Sequence, residues 1–307
     1  MNKLNANGVE VAYDAFGDDT SETVLLIAGL GTQMVRWANP FCEALAARGY
    51  RVIRFDNRDA GCSTHFSHLT APALEALVAA AMAGKQPDVP YTLHDMAADA
   101  VGLLDALGVG AAHVVGRSMG GMIAQIVACE HRERVLSLAS IMSSTGNRNL
   151  PQTPPDVMAM MMRPAPDPAT DQEGFLAHGL AFARRIAGKG FAFDDQAHRA
   201  LILEEWRRGH DPAGTARQIA AIAATGDLRP RLASIGAPTL VVHGADDPLI
   251  LPACGRDTAE SIPGANFLLI DGMGHDLPVA VYDRVVEAIH VNAQQARERG
   301  SLGRADQ

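Results

Sequence analysis

Residues 112 to 131 read Ala-His-Val-Val-Gly-Arg-Ser-Met-Gly-Gly-Met-Ile-Ala-Gln-Ile-Val-Ala-Cys-Glu-His. A short apolar run leads into Gly116-Arg117-Ser118-Met119-Gly120, and an apolar helical pattern follows. A serine at a tight turn from strand to helix stands proud of the sheet, at the positive end of the helix dipole. Glycines two before and two after it let strand and helix pass close together. The five-residue pattern is weak alone. With 29 glycines in 307 residues, composition produces about 0.1 matches by chance. Its meaning therefore rests on the rest of the chain.

Working outward, apolar runs recur at regular intervals. Thr23–Ala28 is one, ending in Gly29-Leu30-Gly31, and Tyr50–Asp56 is another. The stretch 134–142, then Pro238–His243, then Phe267–Ile270 continue the series. Val9–Asp14 alternates like an edge strand. Helical patterns lie between them, over 38–48, 92–107, 253–262 and 278–297. The clearest is 92–107: Thr92 and Asp95 form a capping box and Gly108 ends it. Met96, Ala100, Leu103, Leu104 and Leu107 make one apolar stripe on this helix. Strands that are apolar on both faces and alternate with helices predict a mostly parallel α/β sheet covered on both sides.

Residues 145–230 break the rhythm. Six prolines crowd 151–168, then helical patterns follow near 171–188, 195–209 and 213–224, with no strand signal. The expected organisation is an α/β core of residues 1–144 and 231–307 carrying a helical cap, 145–230, without a core of its own.

Composition narrows the function classes. A net charge of −9 argues against nucleic acid as the main partner, since phosphate binding needs a basic surface. Cys42, Cys62, Cys129 and Cys254 are far apart, form no Cys-x-x-Cys pair and read as free buried thiols. The first residues lack the apolar core of a signal peptide. No run approaches 18 apolar residues, so no membrane span is expected. A cytoplasmic enzyme is the expectation; the oligomeric state is not readable.

In parallel sheets, ligands bind beyond the carboxyl ends of the strands. Those ends carry Gly29-Leu30-Gly31, Asp56–Gly61, Ser118, Gly244-Ala245-Asp246-Asp247-Pro248, and Asp271-Gly272-Met273-Gly274-His275. A nucleophile, an acid and a base follow in that order. The chain thus resembles the α/β-hydrolase superfamily over nearly its whole length, and Phe55–Ser63 is similar to the segment these enzymes carry after an early strand. Within it the chain is most similar to the capped serine esterases, including the aclacinomycin methylesterase-like group. The resemblance implies an eight-stranded, mostly parallel sheet with helices on both faces.

It also implies roles. Ser118 is the nucleophile, His275 the base and Asp247 the orienting acid. Asp247 is preferred to Asp246 by the Gly-x-x-Asp spacing from Gly244 and the proline that follows. The backbone N–H groups of Leu30 and Met119 are the expected oxyanion donors. Gly29, Gly31, Met158 and Met162 are candidate substrate contacts, although the methionines fit helix packing equally well. No cofactor and no metal is required. His65 and His68 read as a solvated loop, His243 as a core histidine, and Asp56 and Arg58 as loop braces. Arg117 is expected to turn away from the pocket into a salt bridge. The expected activity is hydrolysis of a small to medium apolar carboxylic ester through an acyl-enzyme on Ser118. A proline iminopeptidase-like amidase, a C–C bond hydrolase and a perhydrolase would use the same three residues. A ligand receptor on a hydrolase scaffold, binding without turnover, is the alternative of another class.

Overall fold

A computed structural model describes residues 1–305. Its centre is one eight-stranded sheet in the order β1-β2-β4-β3-β5-β6-β7-β8. The strands are β1 (Asn2–Ala6), β2 (Val9–Phe16), β3 (Thr23–Ile27), β4 (Arg51–Phe55), β5 (Ala112–Arg117), β6 (Val135–Ile141), β7 (Thr239–Gly244) and β8 (Asn266–Ile270). β2 pairs antiparallel with β1 and β4; every other pairing is parallel.

Between β3 and β6 the helices are α1 (Asn39–Ala46), α2 (Leu74–Met82), α3 (Leu93–Ala106) and α4 (Met119–Glu130). After β6 come α5 (Pro155–Met162), α6 (Gln172–Ile186), α7 (Asp195–Arg208), α8 (Pro212–Thr225) and α9 (Arg229–Leu232). α10 (Pro252–Ser261) and α11 (Tyr282–Ala305) complete the chain. Among the described residues no strand lies between β6 and β7, and no helix is long and apolar enough to cross a membrane.

β3 shows why the sheet must be covered on both sides. All five of its residues are buried, and alternate side chains enter different cores, as the period of two requires. Leu25 and Ile27 join Met96, Leu103 and Ile123 beneath α3 and α4. Val24 and Leu26 join Phe41, Leu45, Val285 and Ile289 beneath α1 and α11.

β3 also lies between β4, which follows it in the chain, and β5, which comes later. The connections therefore leave β3 in opposite directions and open a crevice beyond the carboxyl ends of β3 and β5. Gly29 and Ser118 lie at that crevice.

Several local expectations need correction. β1 carries only one fully buried residue, Ala6, and its polar sequence hides its pairing with β2. α2 and α5 were not expected. α5 starts inside the proline-rich stretch because Pro155 occupies its first turn, where a missing N–H costs nothing. The last helix begins at Tyr282, after a short 3₁₀ turn over Val279–Val281. The capping box of α3 is present on both sides, with Thr92 N–H donating to Asp95 Oδ2 at 2.7 Å.

Candidate active site

The turn between β5 and α4 forces Ser118 to φ 54° and ψ −125°. A non-glycine residue held there costs about 1–3 kcal/mol, which the surroundings must over-determine. They do so on both sides of the peptide. Ser118 N–H donates to Ile141 O at 2.9 Å, and Ser143 Oγ donates to Ser118 O at 2.8 Å. The flanking glycines are needed for space. A Cβ on Gly116 would sit 2.0 Å from Gly120 O, and one on Gly120 would sit 2.2 Å from Ile27 O. Gly29 packs against the serine itself, since a Cβ there would lie 3.2 Å from Ser118 Cβ.

The loop after β8 brings in His275, which is 6% exposed. Its Nε2 stands 3.0 Å from Ser118 Oγ and its Nδ1 2.8 Å from Asp247 Oδ2. Asp247, 2% exposed, spends its other oxygen on the N–H groups of Leu249 and Ile250, both at 2.9 Å. Burial alone would push this carboxyl up. The facing imidazoles of His275 and His243 and their hydrogen bonds outweigh it and hold the pKa at about 2. An ionised carboxylate only accepts, so His275 Nδ1 carries the proton and Nε2 turns its lone pair to the serine hydroxyl. That is the tautomer a general base needs.

His243 is fully buried at the end of β7. Its Nε2 donates to Ile250 O at 2.8 Å and stands 3.4 Å from Asp247 Oδ2. It thus packs in the core and also fixes the loop that carries the acid. Nothing in its sequence context marked the second part.

The strand-end turn after β3 holds Leu30 above the crevice. Gly31 N–H donates to Gln218 Oε1 of α8 at 2.8 Å, and Gln218 Nε2 donates to Arg58 O. Met119 is the first residue of α4. Neither Leu30 N–H nor Met119 N–H has a hydrogen-bond partner among the described residues; Met119 follows Ser118 directly, and Leu30 follows Gly29, which packs against Ser118. Gln218, 187 residues from Gly31 in the chain, had no legible signal.

A cavity of about 200 Å³ borders Gly31, lined by Phe175, Ile202 and Trp206 and by polar side chains that include the paired Arg36 and Glu205, and none of Ser118, His275 and Asp247 lines it. Met158 and Met162 line neither this cavity nor a second one of about 160 Å³ beside Leu249–Leu251. They are 40% and 37% exposed, and α5 buries Val157 instead.

Two polar residues differ from expectation. Among the described residues Arg117 forms no salt bridge: its guanidinium lies over the Trp37 ring at 5.8 Å and donates to Arg36 O at 3.2 Å. Burial and the nearby Arg36 push it down to about 10. Asp276 and Glu205 act on it only at longer range, and Glu205 is paired with Arg36. His65 is half-buried and bonded to protein on both ring nitrogens, with Nδ1 3.2 Å from Asp211 Oδ2 and Nε2 3.0 Å from Gly61 O. Asp56 and Arg58 do brace loops, Asp56 through Met34 N–H and Cys62 N–H and Arg58 through Asp99.

Comparison with known proteins agrees with this architecture. The model of the alpha/beta hydrolase fold family matches residues 22–279. A rhodomycin D methylesterase of Streptomyces sp. (strain C5) is 31% identical, over 95% of this chain and 98% of that protein. A second rhodomycin D methylesterase, from Streptomyces peucetius, is 30% identical over 92% and 94%. Among solved structures, an enol-lactonase from Burkholderia xenovorans superposes with a TM-score of 0.72 at 25% identity, covering 95% of this chain and 100% of that one. The chain belongs to the α/β-hydrolase fold family.

Proposed function

We propose that this α/β-hydrolase is a carboxylic ester hydrolase in which Ser118, His275 and Asp247 act as a catalytic triad. The observation that carries the reading is the unbroken line of hydrogen bonds from Ser118 Oγ through the His275 ring to Asp247. A serine hydroxyl is hardly ionised at neutral pH and needs a base in contact. His275 Nε2 takes the proton as Oγ attacks the ester carbonyl, and the ionised Asp247 stabilises the imidazolium that forms.

Charge then develops on the carbonyl oxygen. The free N–H groups of Leu30 and Met119 receive it, with the dipole of α4 behind Met119. Collapse of the tetrahedral intermediate expels the alcohol, protonated by His275, and leaves an acyl group on Ser118. Water activated by the same histidine releases the acid and restores the serine. The residues named supply each proton transfer, so the scheme uses no cofactor.

The substrate is a small to medium, largely apolar ester. The methylesterase relatives support a methyl ester, with methanol as the leaving alcohol. The insertion of residues 145–230 serves as a cap.

The test is Ser118→Ala assayed on short-chain p-nitrophenyl esters and on aromatic methyl esters. Turnover should fall by a factor on the order of 10³ or more. A fluorophosphonate should label Ser118 in the parent and not in the variant. Retention of most activity by Ser118→Ala overturns the assignment.

A further inference from the structure

The link between α6 and α7 makes the most intimate backbone contact the insertion has with the rest of the protein. Ile186 O accepts the N–H of His275 at 2.8 Å. Gly190 N–H donates to Gly272 O at 2.9 Å. Lys189 N–H donates to Asp246 Oδ2 at 3.2 Å. One five-residue stretch is thus bonded to both loops that carry the base and the acid.

The packing is as close as backbones allow. A Cβ on Gly188 would lie 1.9 Å from Gly272 O and 2.5 Å from Gly274 N. A Cβ on Gly190 would lie 2.6 Å from Gly272 Cα, and one on Gly274 would lie 2.2 Å from Gly188 N. Neither Gly188 nor Gly190 has a positive φ. Glycine is therefore present for space and not for conformational freedom. Because the obstructing atoms are main chain on both sides, no side chain can swing away to relieve a clash.

We infer that residues 186–190 are a strap that positions the His275 loop, so that the insertion sets the catalytic geometry as well as covering the substrate. The inference rests on the roles proposed above for Asp247 and His275. The ring of His275 is oriented by its bonds to Asp247 and Ser118, but its main chain is held in place by Ile186 O. Pushing the loop away from Gly188 moves the imidazole relative to Ser118 Oγ, where the separation is 3.0 Å.

The experiment compares Gly188→Ala and Asp246→Ala with the parent, with Gly110→Ala as a remote control whose new methyl meets nothing within 4 Å. Active sites are counted by fluorophosphonate titration, and kcat, KM and the pH dependence of kcat/KM are measured on p-nitrophenyl acetate. Gly188→Ala should lower kcat per titrated site about 100-fold, the usual effect of a 1 Å misplacement. KM should stay within about twofold and the rising limb of the pH profile should shift.

Asp246→Ala, which cuts one tie without adding bulk, should cost about fivefold in kcat. Asp246→Asn, which keeps an acceptor oxygen, should recover most of that loss. A folded Gly188→Ala with unchanged kcat per site and an unmoved limb overturns the strap, as does a loss confined to thermal stability or to the number of titratable sites. If Gly188→Ala does not fold, the Asp246 pair decides, and equal kcat in Asp246→Ala and the parent refutes the proposal. Failure of the ester hydrolase reading is seen separately, as activity surviving in Ser118→Ala.

Discussion

Asp247 sits in an environment whose burial and hydrogen bonds pull its acidity in opposite directions. It is buried and yet more acidic than a free carboxyl, falling from 3.8 to about 2. A carboxyl depressed on folding stabilises the fold above its unfolded pKa, and that contribution fades as pH falls toward the folded value. A shift near two units corresponds to about 2 kcal/mol, present above about pH 5. In Asp247→Asn this dependence disappears. The stability gap between parent and variant, read from urea unfolding, should narrow by about 1 kcal/mol between pH 5 and pH 3. A gap that stays constant over that range contradicts the charge state assigned to Asp247. Ser118, Asp247 and His275 were each readable because each follows a strand end, and position along a parallel sheet translates into proximity. Arg117 was not readable. Its sequence context places it beside the serine but says nothing about Trp37, over whose ring it lies.

At the level of elements, the serine turn depends on how closely α4 can approach β3. Gly120 has no room for a side chain because the obstructing atoms, Ile27 O and Ala28 O, belong to the sheet backbone. Gly120→Ala should therefore destabilise the protein by about 1–3 kcal/mol through overpacking and lower kcat together with stability. Gly110→Ala, with open space around it, should be neutral or stabilise by up to about 1 kcal/mol by restricting the unfolded chain. Equal melting temperatures for the two variants would show that α4 can shift away from β3. The glycine spacing around Ser118 was legible because the need for it is local. So was α3, whose box and stripe lie within sixteen residues of sequence. β1 and α5 were not. β1 reads Asn-Lys-Leu-Asn-Ala and derives its order from pairing with β2, and α5 begins among prolines that usually mark a loop.

On the scale of the whole molecule, the helical segment between β6 and β7 is joined to the residues around the sheet by buried and half-buried ion pairs. Arg36 grips Glu205 at 2.8 and 2.6 Å, and Arg208 reaches Asp56 at 2.7 Å. Arg217, 1% exposed, grips both oxygens of Asp59 at 2.8 Å and also contacts Asp211 at 2.9 Å. The Arg36, Arg208 and Arg217 pairs span 169, 152 and 158 residues. Local periodicity cannot match charges across such distances, which is why the helices of the insertion were legible and their attachment was not. The same blindness placed His65 in solvent, although it shares Asp211 with Arg217. Burial alone would raise the Asp59 carboxyl, and Arg217 with Tyr91 O–H holds it below the ordinary value. Arg217→Met leaves that buried charge uncompensated and should cost about 3–5 kcal/mol. Adding Asp59→Leu removes the stranded charge, and the double variant should regain much of the loss, since a buried pair replaced by apolar groups is often near neutral. Urea unfolding gives the cycle, and limited proteolysis within residues 195–225 should be faster in Arg217→Met than in the double variant. A loss under about 1 kcal/mol in Arg217→Met would mean that apolar contacts hold this segment down without the pair, and a double variant as unstable as the single would mean that the loss does not come from the stranded Asp59 charge.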